Sequence, residues 1–208
     1  MKERPILFSG PMVRATLAGR KPVPRRPVLL RGRWTIEERN DGTPWPYDPT
    51  WAHGDDGSPC IQCPHGEPGD RLWVKETYAL DYTHDDLSPS EARPTVDVTY
   101  RASEDLPGVA RNGRRGRWRS PIHMPRWASR ITLEVVSVRV ERLHEITEDD
   151  AAREGVTMAD VAAGNLRVLG EMGPLRYQFA ELWERIHGSG SWTTNPWVWR
   201  VEYRRAER

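Results

Sequence analysis

The segment Trp197-Val198-Trp199-Arg200-Val201-Glu202-Tyr203 alternates aromatic or aliphatic with polar residues, the period of a strand, and it arrives late, after a well-marked helix. A strand so placed must be paired by segments from far earlier, so the sheet it enters is closed by long-range contacts. Pro5 to Ser9 reads as a short first strand. Gly10-Pro11 then opens a helix in which Met12, Val13, Thr16 and Leu17 share a face until Gly19 stops it. Pro22, Pro24 and Pro27 keep the next stretch extended and hold the arginines between them on a stiff loop. Arg71 to Tyr78 puts Leu72 and Val74 on one face and Trp73 on the other, and Val96, Val98 and Tyr100 alternate in the same way.

Arg130 to Arg142 is the clearest strand, although its apolar parity changes from Ile131, Leu133 and Val135 to Val136, Val138 and Val140, which requires a bulge or a sharp bend. Thr147 with Asp150 starts a short helix that Gly155 ends, and Thr157 with Asp160 repeats the device. Pro174 begins a longer helix, with Leu175, Phe179, Leu182, Trp183 and Ile186 on one stripe and Gly188 at its end. Short strands with helices inserted between them predict an α+β fold, a small mixed β-barrel with flanking helices. The stretches near 35–68, 80–95 and 104–122 read as irregular insertions, the first packed by its own aromatics.

At 208 residues one domain is the better expectation, because each half of a split would sit near the lower limit for an independent core. A hydrophobic share of 37% beside 18 prolines indicates a modest core and long connections. Most of the ten tryptophans are needed as core, but the same ring is a surface on which a base stacks. A net charge of +1 gives no argument for a long duplex as partner. Charge is concentrated locally, in Arg20, Lys21, Arg25, Arg26, Arg31 and Arg33, and in Arg111, Arg114, Arg115, Arg117 and Arg119, the second run reading as a mobile loop. No signal-like apolar segment or membrane-length run is seen, and Cys60 and Cys63 are too close for a useful disulfide, so a cytoplasmic protein without a membrane partner is expected.

Gly19-Arg20-Lys21, Pro68-Gly69-Asp70-Arg71-Leu72-Trp73-Val74, Tyr100-Arg101-Ala102, Met124-Pro125-Arg126-Trp127-Ala128-Ser129-Arg130 and Asn195-Pro196-Trp197-Val198-Trp199 together resemble the ASCH family, in the pattern of its longer phage and prophage members. The resemblance runs from the first helix to the last strand. It implies a PUA-like barrel with a cleft between barrel and helices, a shape used elsewhere for RNA and modified bases. Family members include RNA binders, a ribonuclease and small bacterial amidohydrolases that remove the acyl group from N4-acetylcytidine. In those amidohydrolases a Gly-Arg-Lys-Thr-x-Thr turn supplies a catalytic lysine and threonine, and a glutamate in a later Glu-rich helix completes the site. The resemblance puts that lysine at Lys21 and that glutamate at Glu154, while Pro22 and Pro24 stand where the pattern has threonines.

Hydrolysis of an exocyclic amide needs an activated nucleophile, a proton for the departing amine and stabilisation of the oxyanion. Lys21 is the candidate base, provided that burial near Arg20 or Arg25 lowers its pKa, and Glu154 is the candidate proton shuttle. With proline at 24, a lysine-activated water is the simplest nucleophile, and Ser9, Thr77 or Tyr78 are replacement hydroxyls. Arg20, Arg25, Arg26, Trp73, Glu76, Tyr100, Arg126 and Trp127 are candidate binding residues, the aromatics for stacking on a pyrimidine and the charged groups for its edge or a ribose hydroxyl. Cys60 and Cys63 with His53 and His65 form a weaker zinc alternative, and turn packing is the simpler role for them. No cofactor is expected. The resemblance therefore implies an amidohydrolase acting on N4-acylated cytosine or cytidine, with a module that binds RNA or a modified base, or an RNA-cleaving enzyme, as the alternatives.

Overall fold

The fold, given by a computed structural model, is described for residues 1–19, 23–50, 60–106, 112–158 and 172–206. In chain order its elements are β1 (Glu3–Leu7), α1 (Gly10–Leu17), β2 (Arg25–Pro27), β3 (Thr35–Glu38), β4 (Pro44–Tyr47), β5 (Arg71–Lys75), β6 (Tyr78–Leu80), β7 (Val98–Tyr100), α2 (Arg101–Glu104), β8 (Thr132–Arg142), α3 (Glu148–Arg153), α4 (Pro174–His187) and β9 (Trp197–Arg205). This is a mixed α+β fold. The chain gathers into two compact units that interleave in sequence: Met1–Lys21, Gly69–Val135 and Arg204–Arg208 form the first, Pro22–Pro68 and Val136–Tyr203 the second.

In the first unit β1 runs parallel to β5, with Pro5 beside Trp73, and β5 runs antiparallel to the start of β8, with Leu72 beside Leu133. The alternation of a strand sends Leu72, Val74, Leu133 and Val135 inward, and Arg71, Trp73 and Lys75 occupy the other face of β5. Helix α1 buries Met12, Val13, Ala15 and Thr16, and Gly19 leaves it at φ 74°, a conformation that suits a residue without Cβ. Strands β6 and β7 pair separately, Tyr78 opposite Tyr100, and pack Tyr78 and Leu80 against Ala92, Met124 and Ala128.

In the second unit β2 pairs antiparallel with β9, Arg26 opposite Trp199, and β9 neighbours β8. Its core gathers Leu143, Ile146, Ala151, Val156, Phe179, Trp183, Trp192 and Val198. Ile186, expected on the same stripe of α4, is 62% exposed, because the last turn of that helix runs past the cluster. The Thr147 hydroxyl accepts from the Asp150 backbone N–H at 3.1 Å, and the Glu148 carboxylate accepts from the Leu175 and Arg176 backbone N–H groups, so α3 is capped and in turn caps α4. Thr147→Ala is expected to cost about 1 kcal/mol, read as a lower urea midpoint at unchanged slope.

Strands β8 and β9 each pass from one unit into the other. The parity change read in Arg130–Arg142 falls at the passage of β8 between Val135 and Val136: Val135 is buried, Val136 exposed and Val140 buried again. Among the described residues β1 and β2 have one strand neighbour each, so the ladder stays open where a closed barrel was expected; closure needs a register between the outer strands. A second difference lies within 35–68, where β3 and β4 form a regular hairpin, Ile36 opposite Pro46, turning at Gly42 with φ 79°. Pro44 and Pro46 hide that strand in the sequence, yet a two-stranded ribbon has edges on which a missing N–H costs nothing. The arginine run that reads as a mobile loop is pinned in its described part: buried Arg119 donates to the His84 and Leu87 carbonyls, Arg114 pairs with Asp81 and Arg115 with Glu104. Arg111 and Asp160, and with Asp160 the second capped helix, lie outside the described residues. No described helix is long and apolar enough to cross a membrane.

Candidate functional site

Arg25 opens β2 between two prolines, and the preceding Pro24 is buried, its carbonyl accepting the Val201 backbone N–H at 3.2 Å. That ladder turns the Arg25 side chain into the second unit, where it is fully buried. Its guanidinium reaches Glu141 at 2.7 and 2.8 Å and Asp150 at 2.6 Å, and Nη1 stands 3.8 Å from Glu154. Arg200, opposite Arg25 in the register, adds a second cation 3.3 Å from Asp150. Asp150 and Glu154 are four residues apart, hence on one face of α3 and its C-cap, which brings both carboxylates to the same arginine.

The two carboxylates titrate in opposite senses. Burial pushes Asp150 up, but hydrogen bonds and charge from Arg25 and Arg200 overcome it and hold its carboxyl below the ordinary range. Burial also acts on Glu154 and wins there, lifting its carboxyl from 4.5 to about 7 in spite of Arg25, Arg26 and the Arg25 backbone N–H that it accepts at 2.7 Å. The main reason is desolvation of a fully buried carboxyl; Arg25, whose guanidinium is shared with Glu141 and Asp150, offsets only part of it, and the Asp150 charge adds a smaller upward push. The neighbouring Tyr203 phenol is pushed well above its usual value by burial and by Glu154.

Arg26, on the next position of β2, lines a cavity of about 550 Å3 in the same unit with Val28, Trp34, Ile61, His65, His187 and Trp199. Its positive charge bears on Glu154 and, after burial, contributes to holding His187 below the ordinary histidine value. Trp34 is fixed by an indole N–H donated to Asp48 at 2.9 Å, and Trp199 by an edge contact with Trp45, ring centres 5.0 Å apart. An apolar, two-tryptophan cavity of this size has the composition of a small-molecule site, and Arg26 links it electrostatically to Glu154, which does not itself line it.

Comparison with models of known families, with curated proteins and with solved structures finds no match.

The residues expected from sequence divide between the two units. Glu154 and Arg26 are in the second, and so is Arg25, which serves as an internal ion-pair hub and does not line the cavity, because three carboxylates occupy its guanidinium. Arg20, Lys21 and His53 lie outside the described residues. Trp73, Glu76, Tyr100, Arg126 and Trp127 belong to the first unit. There Glu76 is buried in a two-point pair with Arg130, the Tyr100 hydroxyl donates to the Ala128 carbonyl under the Arg130 guanidinium, and Trp127 packs on the small cluster. Arg126 is exposed and paired with Glu3, and Trp73 is half-buried beside it. Of the replacement hydroxyls, Tyr78 is committed to the His123 carbonyl. Cys60 and Cys63 are not joined in a disulfide, and among the described residues no three metal-ligating side chains converge. Sequence reading missed Glu141, Asp150, Arg200, Trp34 and Trp199. Arg200 and Glu202 interrupting an otherwise apolar strand, and Asp150 four residues before Glu154, were the signals available.

Proposed function

We propose that this chain is a PUA-like, ASCH-type amidohydrolase of the cytoplasm that removes the acyl group from N4-acylated cytosine or cytidine. The observation that carries the reading is Glu154: a fully enclosed carboxyl with a pKa of about 7, beside Arg25 and within the field of an arginine that lines a tryptophan-walled cavity. A group with that pKa both gives and regains a proton at neutral pH, which is what the departing exocyclic amine requires. In the proposed reaction water adds to the acyl carbonyl as Lys21, acting as a neutral base, takes its proton. The carbon–nitrogen bond then breaks, Glu154 protonates the leaving nitrogen, and carboxylic acid and cytidine are released. Arg26 faces the developing oxyanion, and Trp34 and Trp199 form the walls against the base.

Pro24 supports a second reading, a binder of modified base or RNA without chemistry, since its buried ring and its carbonyl bonded to Val201 replace the hydroxyl of the resembling enzymes. Incubation with N4-acetylcytidine, followed by the ultraviolet shift toward cytidine, separates the two. Turnover that disappears in Lys21→Ala is expected. Binding of the nucleoside with no turnover at high protein concentration would establish the second reading instead.

A further inference from the structure

In the first unit Arg71, Arg126, Ser129, Arg130, Thr132 and Arg205 line an open cavity of about 880 Å3. Four arginines line it, and no carboxylate is among its described lining residues. The carboxylates nearby leave much of this charge uncancelled. Buried Glu76 bonds to Arg130 at 2.8 and 2.9 Å and Ser103 takes a third N–H at 2.8 Å, which orients the guanidinium and leaves donors over. Glu3 holds Arg126 at 3.0 and 3.2 Å. Glu134, opposite Arg71 in the β5–β8 register, is taken by Arg204 at 2.8 Å. Arg71 and Arg205 make no ion pair within 4.0 Å among the described residues, although Glu3, already bonded to Arg126, stands beside Arg71 in the β1–β5 register and feels its charge.

An aromatic face adjoins these cations. Trp73 shares the outer face of β5 with Arg71 and Lys75 and stands beside Thr132 in the register. Its ring centre lies 5.3 Å from Lys75 Nζ and 5.9 Å from the Arg126 guanidinium. We infer that this cavity binds the phosphate group of a nucleotide, either a free nucleotide or one link of a single strand, with the base stacked on Trp73. Planar guanidiniums donate in pairs to phosphate oxygens, and two of the four are already held in place by carboxylates, so little side-chain freedom is lost on binding. The cavity is of the size that nucleotide-sized ligands occupy, and basic groups with an interleaved aromatic suit a base attached to a phosphate better than a bare anion.

The full-length protein is titrated at low salt with cytidine, cytidine 5′-monophosphate, inorganic phosphate and a short single-stranded oligonucleotide, by calorimetry and tryptophan fluorescence. The monophosphate and the strand are expected to bind well, and cytidine far more weakly. Arg71→Ala with Arg205→Ala is expected to reduce affinity for both by roughly ten-fold per arginine. Trp73→Leu is expected to weaken the ligands that carry a base and to spare inorganic phosphate. A strand that binds much more tightly than the monophosphate, with a salt slope of about 0.7 per phosphate, identifies the polymer as the source; equal affinity identifies the free nucleotide. Cytidine binding as well as its monophosphate, no binding of any phosphate-bearing probe, or unchanged affinity in the double variant overturns the inference. If the alanine pair lowers the urea midpoint, Arg71→Gln with Arg205→Gln, which retains most of the side-chain stem, is read in its place by the same criterion. The readout is binding without turnover, so its failure leaves the acyl-cytidine assay standing, and the reverse holds as well.

Discussion

Arg25→Met is expected to lower the free energy of unfolding by about 3–5 kcal/mol, the largest loss of any single substitution considered. The guanidinium is fully buried and is the common partner of Glu141, Asp150 and Glu154. Removing it leaves Glu141 without its closest cation and Asp150 with Arg200 alone, at 3.3 Å. Each carboxylate must then stay charged without adequate compensation or take up a proton on folding, and both cost stability. Arg25→Lys keeps the charge but places a single ammonium where a planar fork now serves two partners, so an intermediate loss is expected. Urea denaturation at neutral pH decides this. A loss below about 1 kcal/mol, the range of exposed ion pairs, would mean that water reaches the network.

Glu154→Gln is expected to reduce kcat/KM for N4-acetylcytidine by about 10²–10⁴-fold, the usual worth of a positioned acid or base. The same substitution has a second signature that requires no substrate. Because the folded pKa of Glu154 is raised, folding favours its protonated form. The stabilisation is therefore fully present below the unfolded value of 4.5 and is lost as pH rises through about 7. A change from 4.5 to about 7 corresponds to at most about 3 kcal/mol. Glutamine cannot ionise, so the variant lacks this slope and gains on the wild type across that window. Asp150, with a lowered pKa, contributes in the opposite sense and in a lower window: its stabilisation is present above the unfolded value of 3.8 and lost as pH falls through the folded one. Stability curves of wild type and variant that run parallel from pH 5 to 8 would show that Glu154 is already ionised at neutral pH and is no proton donor. For the wild type, kcat is expected to fall as pH rises above about 7, where the donor loses its proton.

Much of the local structure was legible because it depends on short-range geometry. The α1 face, the Thr147 cap, the start of α4 at Pro174 and the inward Leu72 and Val74 all follow from periodicity and capping chemistry within a few residues. The β3–β4 hairpin was not legible, since two prolines remove the strand pattern while an edge ribbon accepts them. The candidate site was legible in part. Glu154 came from the resemblance alone, and its place at a helix C-terminus, against the helix dipole, added only a weak physical signal. Trp73, Glu76, Tyr100 and Trp127 all read in the sequence as candidate contacts for a base, yet pairing, burial and exposure give them different surroundings.

The sequence by itself determined the capped helices and the strands with clear alternation, and that the last strand, β9, pairs with segments far earlier in the chain. Only the tertiary structure decided what Arg25 is. In sequence it belongs to a basic run with Arg26; in the fold its carbonyl-bonded neighbour Pro24 and its register with Arg200 bury it among carboxylates that lie more than a hundred positions away, while Arg26 turns to a cavity. The charge state of Glu154 was decided in the same way. A pKa depends on the solvent excluded and the charges gathered within a few ångströms, and both are set by contacts between residues distant in the chain.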